Sequence, residues 1–168
     1  MTLAMLVLIA VMWVPVGLLF LGYGEAKGTG CVTGIVGFLV VVAAMIQTAQ
    51  GDPFGGALIF AHGTLYLCVS YALLTGLEDM RSVGNVSLTV AFISAIYAYV
   101  WLIGTAKVPA VSYLGMCAVG YTVLTLEVWL NSYGKFSAKL LAWSLIIWAV
   151  IGLWIPTFSL MTAGKLPF

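Results

Sequence analysis

Charged residues are scarce in this sequence of 168 residues: 7% are Asp, Glu, Lys or Arg, against roughly 25% in a typical soluble domain. A soluble fold of this size needs a polar exterior, and the chain lacks the residues to make one. The net charge of +1 leaves no basic or acidic field that would attract nucleic acid. These shortages exclude an ordinary soluble domain and a nucleic-acid partner.

Residues of the types that catalyse reactions or bind metal ions are also few. There is one histidine, His62, so a metal site or a Ser-His-Asp triad within one chain would have to be built around it. The three cysteines, Cys31, Cys68 and Cys117, are odd in number, widely spaced and set in apolar runs. Free buried thiols therefore fit better than disulfides or a metal cluster. The sequence predicts no enzyme activity, no metal and no cofactor.

Hydrophobic residues, by contrast, make up 64% of the chain. A helix needs about 20 apolar residues to cross the hydrocarbon core of a bilayer, and the apolar runs are continuous, unlike the alternating strands of a barrel. The sequence therefore predicts an all-α polytopic membrane bundle, forming a single domain over residues 1–168. Its six transmembrane helices are predicted at residues 2–23, 31–48, 56–75, 85–104, 110–130 and 139–161.

The short linkers between these spans distribute the basic residues unevenly. The first, third and fifth linkers (24–30, 76–84 and 131–138) and the adjoining helix edge hold four basic residues, and the opposite side holds two. An excess of Lys and Arg marks the cytoplasmic side. Both termini are therefore predicted to lie outside a cell (inner or plasma) membrane. The two groups are Lys27, Arg81, Lys135 and Lys139 against Lys107 and Lys165.

The basic turns also hint at an internal repeat. Lys27, Arg81 and Lys135 are separated by 54 residues, twice, and Gly30 and Gly84 keep the same step. One interpretation is three copies of a two-helix hairpin, an arrangement known among transporters. The other is that charges simply collect in evenly spaced turns, since almost no other identity follows the period.

Two ionisable residues lie within the predicted spans, where they are costly and hence candidates for function. Glu127, about one turn from the predicted cytoplasmic end, either reaches the interface or pairs with Lys135 or Lys139, or it lines a polar path. His62 is either a neutral imidazole bonded to a neighbouring helix or a functional polar group. A single histidine argues against a steep acid switch.

Aromatic residues make up 13% of the chain. One set falls near the span ends, as an interfacial belt would: Trp101, Tyr113, Trp129, Tyr133 and Phe136. A deeper set either packs the core or lines a narrow pore that passes small neutral solutes and excludes ions: Trp13, Phe20, Tyr66, Tyr121, Trp143 and Trp148.

Four short stretches, in order along nearly the whole chain, resemble the UreI/AmiS family of urea and short-chain amide channels. They are residues 16–22 (VGLLFLG), 56–67 (GALIFAHGTLYL), 134–136 (GKF) and 154–156 (WIP). The resemblance implies three two-helix hairpins, a homo-hexamer with one pore in each subunit, and passive flow of urea or small amides. Membrane lipid and a small neutral solute are then the expected partners.

Carried over by position, the resemblance and the deep aromatic set give the candidate pore-lining residues Trp13, Val16, Phe20, Thr64, Tyr66, Cys68, Tyr121, Glu127 and Trp148, with His62 as a polar pore or packing residue. Two departures from the family bear on selectivity. The fifth helix has tyrosines where the family has tryptophans, and the last helix is one turn longer, with Ser144 or Trp148 in place of a glutamate.

The acid-gated members have long, histidine-rich outer loops, and this chain has no histidine outside its spans. We therefore expect conduction that is not acid-gated. A rival interpretation of the same composition is a non-transporting scaffold subunit of a larger membrane complex, because charge-poor bundles with small-residue faces also bind partner helices.

Overall fold

The computed structural model describes residues 2–103 and 109–167, with the backbone alone for residues 109–111. Within these ranges all regular structure is helical, and six helices are long and apolar enough to cross a membrane, which confirms the predicted fold class. The helices are α1 (Thr2–Phe20), α2 (Ala26–Ala49), α3 (Pro53–Thr75), α4 (Arg81–Leu102), α5 (Pro109–Ser132), α6 (Ala138–Ile147) and α7 (Ile155–Ala163). Lys107 and most of the 105–109 linker lie outside the described residues.

Several helices extend into the polar linkers beyond the predicted apolar spans. α2 begins at Ala26, not at residue 31, because the Glu25 carboxylate accepts hydrogen bonds from the first backbone amides, those of Lys27 and Gly28. At the start of α3, Asp52 accepts a hydrogen bond of 2.8 Å from a backbone amide of the first turn. Such caps satisfy amides that have no partner inside the helix, and hydropathy does not detect them.

The sixth membrane crossing is not a regular α-helix. A π-helical segment, Trp148–Trp154, connects α6 to α7; such segments are rare and occur mostly as short interruptions of α-helices. The Tyr113 hydroxyl, from α5, lies 3.0 Å from the carbonyl oxygen of Gly152 and 3.0 Å from the Thr157 hydroxyl. A tyrosine hydroxyl can donate one hydrogen bond and accept another, so α5 anchors this irregular turn.

The closest packing joins α2 to α3, α4 to α5, and α1 to α6. Helices linked by the basic turns also contact one another, so the six crossings form a closed ring. Glycines bring α2 and α3 nearly to backbone contact: a Cβ added at Gly63 would lie 3.1 Å from the backbone nitrogen of Val41. In the α4–α5 pair, Ser87 donates a hydrogen bond of 2.8 Å to the carbonyl of Thr125. Small residues thus allow these pairs to pack more closely than the helix pairs that the basic turns connect.

The 54-residue step recurs in the burial pattern of α2 and α4. Each buried residue of α4 lies 54 positions after a buried residue of α2. A repeat confined to charged turns would not reproduce the buried face of a helix, so the pattern favours internal repetition. The pairs are Thr29 and Val83, Gly30 and Gly84, Thr33 and Ser87, Val36 and Val90, Gly37 and Ala91, Val40 and Ser94, Ala43 and Tyr97, and Ala44 and Ala98.

Candidate solute pathway

Two cavities lie inside the helix ring, one toward each end. The larger cavity, of about 130 Å³, lies toward the end that carries the basic turns. Its walls come from five of the six crossings and are mostly apolar. They include Met12, Trp13, Val16, Phe20, His62, Leu65, Tyr66, Val69, Val83, Leu124, Thr125, Val128, Asn131, Ser132, Leu141 and Leu145.

The smaller cavity, of about 40 Å³, lies toward the opposite end. Its described walls include Thr2, Leu6, Ile9, Asp52, Leu58, Ile59, His62, Trp101, Leu114, Cys117 and Tyr121. Asp52 stands near the mouth of this cavity, where its carboxylate accepts a hydrogen bond of 2.6 Å from Gln47. His62 lines both cavities, so the two spaces meet at this residue.

Aromatic rings from three helices stand where the cavities meet. Trp13 of α1, Tyr66 of α3 and Tyr121 of α5 follow one another at steps of 53 and 55 residues, close to the period of the repeat. The rings of Trp13 and Tyr121 are in edge-to-face contact at 5.4 Å, and those of His62 and Tyr121 are 4.4 Å apart. All four side chains are buried. We refer to these four residues as the junction; they close the path between the cavities in this conformation.

The hydrogen bonds of the junction leave one group without a partner. The Nε2 atom of His62 lies 3.0 Å from the hydroxyl of Ser94, and Nδ1 lies 3.4 Å from the hydroxyl of Tyr66. The Tyr121 hydroxyl has no partner among the described residues, although Tyr121 is 4% exposed. An unsatisfied buried hydroxyl costs about 1–3 kcal/mol. The junction therefore contains one hydroxyl whose hydrogen-bonding capacity is unused in this conformation.

The structure brings together six of the ten candidate residues. Trp13, Val16, Phe20 and Tyr66 line the larger cavity, Tyr121 lines the smaller one, and His62 lines both.

Two further candidates, Thr64 and Cys68, do not face this path. Both border a groove on the outer surface, between α3 and the start of α4. Thr64 is exposed and donates a hydrogen bond of 3.0 Å to the carbonyl of Phe60, one turn earlier in the same helix.

Trp148 and Glu127 also lie away from both cavities. The Trp148 indole packs against Gly120 of α5, in a groove between α5 and the π segment. Glu127 accepts a hydrogen bond of 3.1 Å from Ser144 of α6, while its second carboxylate oxygen is buried without a partner among the described residues. The Glu127 carboxylate thus contacts a serine hydroxyl, whereas a lysine partner was one of the alternatives that the sequence left open.

The sequence analysis missed most of the other wall residues, and with them two polar residues: Ser94, which contacts His62, and Asp52, in the wall of the smaller cavity. Ser94 is a small polar residue in the middle of α4 with no local signal of burial in the sequence; its equivalence to Val40, 54 residues earlier and also buried, is visible only in the structure. Asp52 belongs to a linker, and its only local signal was the proline that follows it, which is typical of a capped helix start.

Comparison with known proteins agrees with this architecture. The sequence profile of the AmiS/UreI family of transporters matches residues 1–164. Two solved structures of the Helicobacter pylori urea channel are similar: a cryo-EM structure of its closed state, with a TM-score of 0.85, and a crystal structure, with a TM-score of 0.83. Each is 20% identical in sequence, with 99% of this chain and 100% of the channel chain covered. No curated protein sequence matches this chain.

Proposed function

This chain belongs to the AmiS/UreI family of transporters, and we propose that it is a passive membrane channel for urea or short-chain aliphatic amides. The observation that carries the proposal is the pair of cavities that approach each other from opposite ends of one six-helix chain and meet at His62. A single subunit thus contains the elements of a complete path.

The chemistry of the walls favours a small neutral solute. No charged side chain lines the larger cavity among the described residues, and Asp52 is the charged residue of the described wall of the smaller one. An ion that entered such a space would lose its hydration shell without replacement. A neutral amide has a much smaller desolvation cost, and the few polar groups at the junction can offset part of it.

We assign the pore to the residues that line the two cavities, with the junction as its narrowest part. In this assignment Thr64, Cys68 and Trp148 belong to outer grooves, which contact lipid or a neighbouring subunit. Glu127 belongs to the packing between α5 and α6, because it contacts Ser144 and borders neither cavity.

The assembly proposed is a homo-hexamer with one pore in each subunit, as the family resemblance implies. The excess of basic residues at one end supports an orientation with that end in the cytoplasm and both termini outside a cell membrane. Asp79 and Arg81, which form an exposed ion pair of 2.7 Å in the α3–α4 turn, lie at this end.

The test is solute-driven swelling of proteoliposomes in a stopped-flow instrument, with urea, formamide and acetamide in turn. We expect fast, non-saturating flux of at least one solute above that of empty liposomes. Flux equal to the lipid background for all three would contradict the channel and support the scaffold subunit. The mass of the purified ring in mild detergent tests the assembly: six times 17.9 kDa is expected, and a monomer would contradict the hexamer.

A further inference from the structure

The polar groups of the pathway are unevenly distributed. Away from the two mouths, the walls are largely aliphatic and aromatic, and the polar side chains gather near the junction. Thr125, just beside it, is already engaged, because its hydroxyl donates a hydrogen bond of 2.6 Å to the carbonyl of Tyr121. A solute that passes the junction therefore has few groups with which to replace its bonds to water.

Of the polar groups at the junction, one hydroxyl is left without a hydrogen-bond partner. His62 has partners on both ring nitrogens, Ser94 at 3.0 Å and Tyr66 at 3.4 Å. The Trp13 indole N–H is also within hydrogen-bonding reach of the Tyr66 hydroxyl, so this hydroxyl has one neighbour for the bond it donates and one for a bond it accepts. The hydroxyl of Tyr121 is buried and has no partner among the described residues. It is the group of the junction that is left to bond a passing molecule, by donating to a carbonyl or accepting from an N–H.

We propose that the junction selects monoamides of short carboxylic acids over urea, with the Tyr121 hydroxyl bonding the amide and His62 as a positioning residue that holds Tyr66 out of this role. The inference rests on the proposed channel function. It names which of the two solute classes the pore favours and which residues decide it.

The reason lies in the number of polar groups that each solute must leave unpaired. Urea and acetamide have the same number of heavy atoms, but urea carries two NH₂ groups and acetamide replaces one of them with a methyl group. One hydroxyl cannot satisfy both NH₂ groups, and each N–H without a partner in an apolar space is penalised. The methyl group of acetamide instead packs favourably against the apolar wall, for example Trp13 and Leu65.

The experiment measures the permeability of acetamide relative to urea in proteoliposomes, after subtraction of empty liposomes. For the parent protein we expect a ratio on the order of tenfold in favour of acetamide, the effect of roughly one unpaired hydrogen-bonding group. Tyr121→Phe keeps the ring and removes the hydroxyl that either solute would bond, so the permeability of both solutes falls by a similar factor and the ratio stays near its parent value. His62→Phe frees the Tyr66 hydroxyl as a second partner, so urea, which has a second NH₂ group to bond, gains more permeability than acetamide and the ratio falls.

Tyr71→Phe is the matched control. Tyr71 is on the same helix as His62 but is exposed on the outer surface, so the same loss of a hydroxyl leaves the permeability of both solutes unchanged. Fast flux with urea equal to or faster than acetamide in the parent protein overturns the selectivity and leaves the channel intact. Unchanged permeability of both solutes in a correctly assembled Tyr121→Phe protein overturns the assignment to Tyr121. No flux of either solute contradicts the channel, and the selectivity with it.

Discussion

Substituting Gly63 with alanine tests whether α2 and α3 are as close as the structure places them. A Cβ at this position would lie 3.1 Å from the backbone nitrogen of Val41 and 2.8 Å from a methyl group of the same residue. A side chain can turn away from such a contact, but a helix backbone cannot. The two helices must therefore separate by a few tenths of an ångström, at one of the places where their backbones nearly touch.

The expected cost of the Gly63→Ala substitution is about 1–3 kcal/mol, typical of an overpacked interior. Since 1 kcal/mol corresponds to roughly 2–4 °C for a chain of this size, the unfolding midpoint in detergent should fall by about 2–12 °C. Gly63 directly follows His62, so the shift of α3 also displaces the junction, and solute flux should change along with stability. Thermal unfolding followed by tryptophan fluorescence, together with proteoliposome swelling, measures both.

Gly34→Ala is the matched control in the same helix pair. Its Cβ would meet the hydroxyl oxygen of Ser70 at 2.6 Å but no backbone atom within 4 Å outside its own helix. Ser70 can rotate, although it then loses its hydrogen bond of 2.8 Å to the carbonyl of Gly30. The midpoint should fall less than for Gly63→Ala. A Gly63→Ala protein that unfolds at the parent temperature and conducts normally would refute the close packing of these helices.

Three further outcomes are expected. Glu127→Gln should leave flux and assembly unchanged, because the residue borders neither cavity; a loss of flux would place Glu127 in the pore. Tyr113→Phe should lower the unfolding midpoint by an amount equivalent to about 1 kcal/mol, because it removes the hydroxyl bonded to the π segment; an unchanged midpoint would mean that this bond contributes nothing. Urea or acetamide flux should not rise several-fold between pH 7 and pH 5. Hydrogen bonds from Arg81 lower the pKa of Asp79 to about 2. The ion pair in the α3–α4 turn therefore stays intact between pH 7 and pH 5, and its protonation does not change flux in this range. A steep rise in flux would contradict the absence of acid gating.

The internal repeat could be predicted from the sequence only in part. The charged turns suggested a 54-residue period, but the identities between the copies were too few to separate a repeat from chance. The structure adds that Ser94 and Val40 are buried at equivalent positions. A repeat conserves the depth of each position more strictly than its chemistry, because the packing space is similar in each copy while the residue that fills it can differ.

The candidate site was predictable only in part. Sequence reasoning placed Tyr66 and Thr64 in the same pore, two residues apart on one helix, yet Tyr66 is buried and Thr64 is exposed. At roughly 100° per residue, positions two apart face nearly opposite sides. In a soluble helix an apolar stripe would have shown which side points inward, whereas a membrane helix is apolar toward both lipid and core.

The sequence by itself determined the six crossings, because in lipid every backbone group must be satisfied within a helix, and hydrophobicity over about 20 residues is a property of the local chain. Its scarcity of charge also determined that any path through the bundle is suited to neutral molecules. The tertiary structure decided which helices pair, which face of each helix turns inward, and that His62 meets Ser94 from another helix. These outcomes depend on contacts between segments far apart in the chain, where the close approach of small residues and the pairing of buried polar groups set the rotation of each helix.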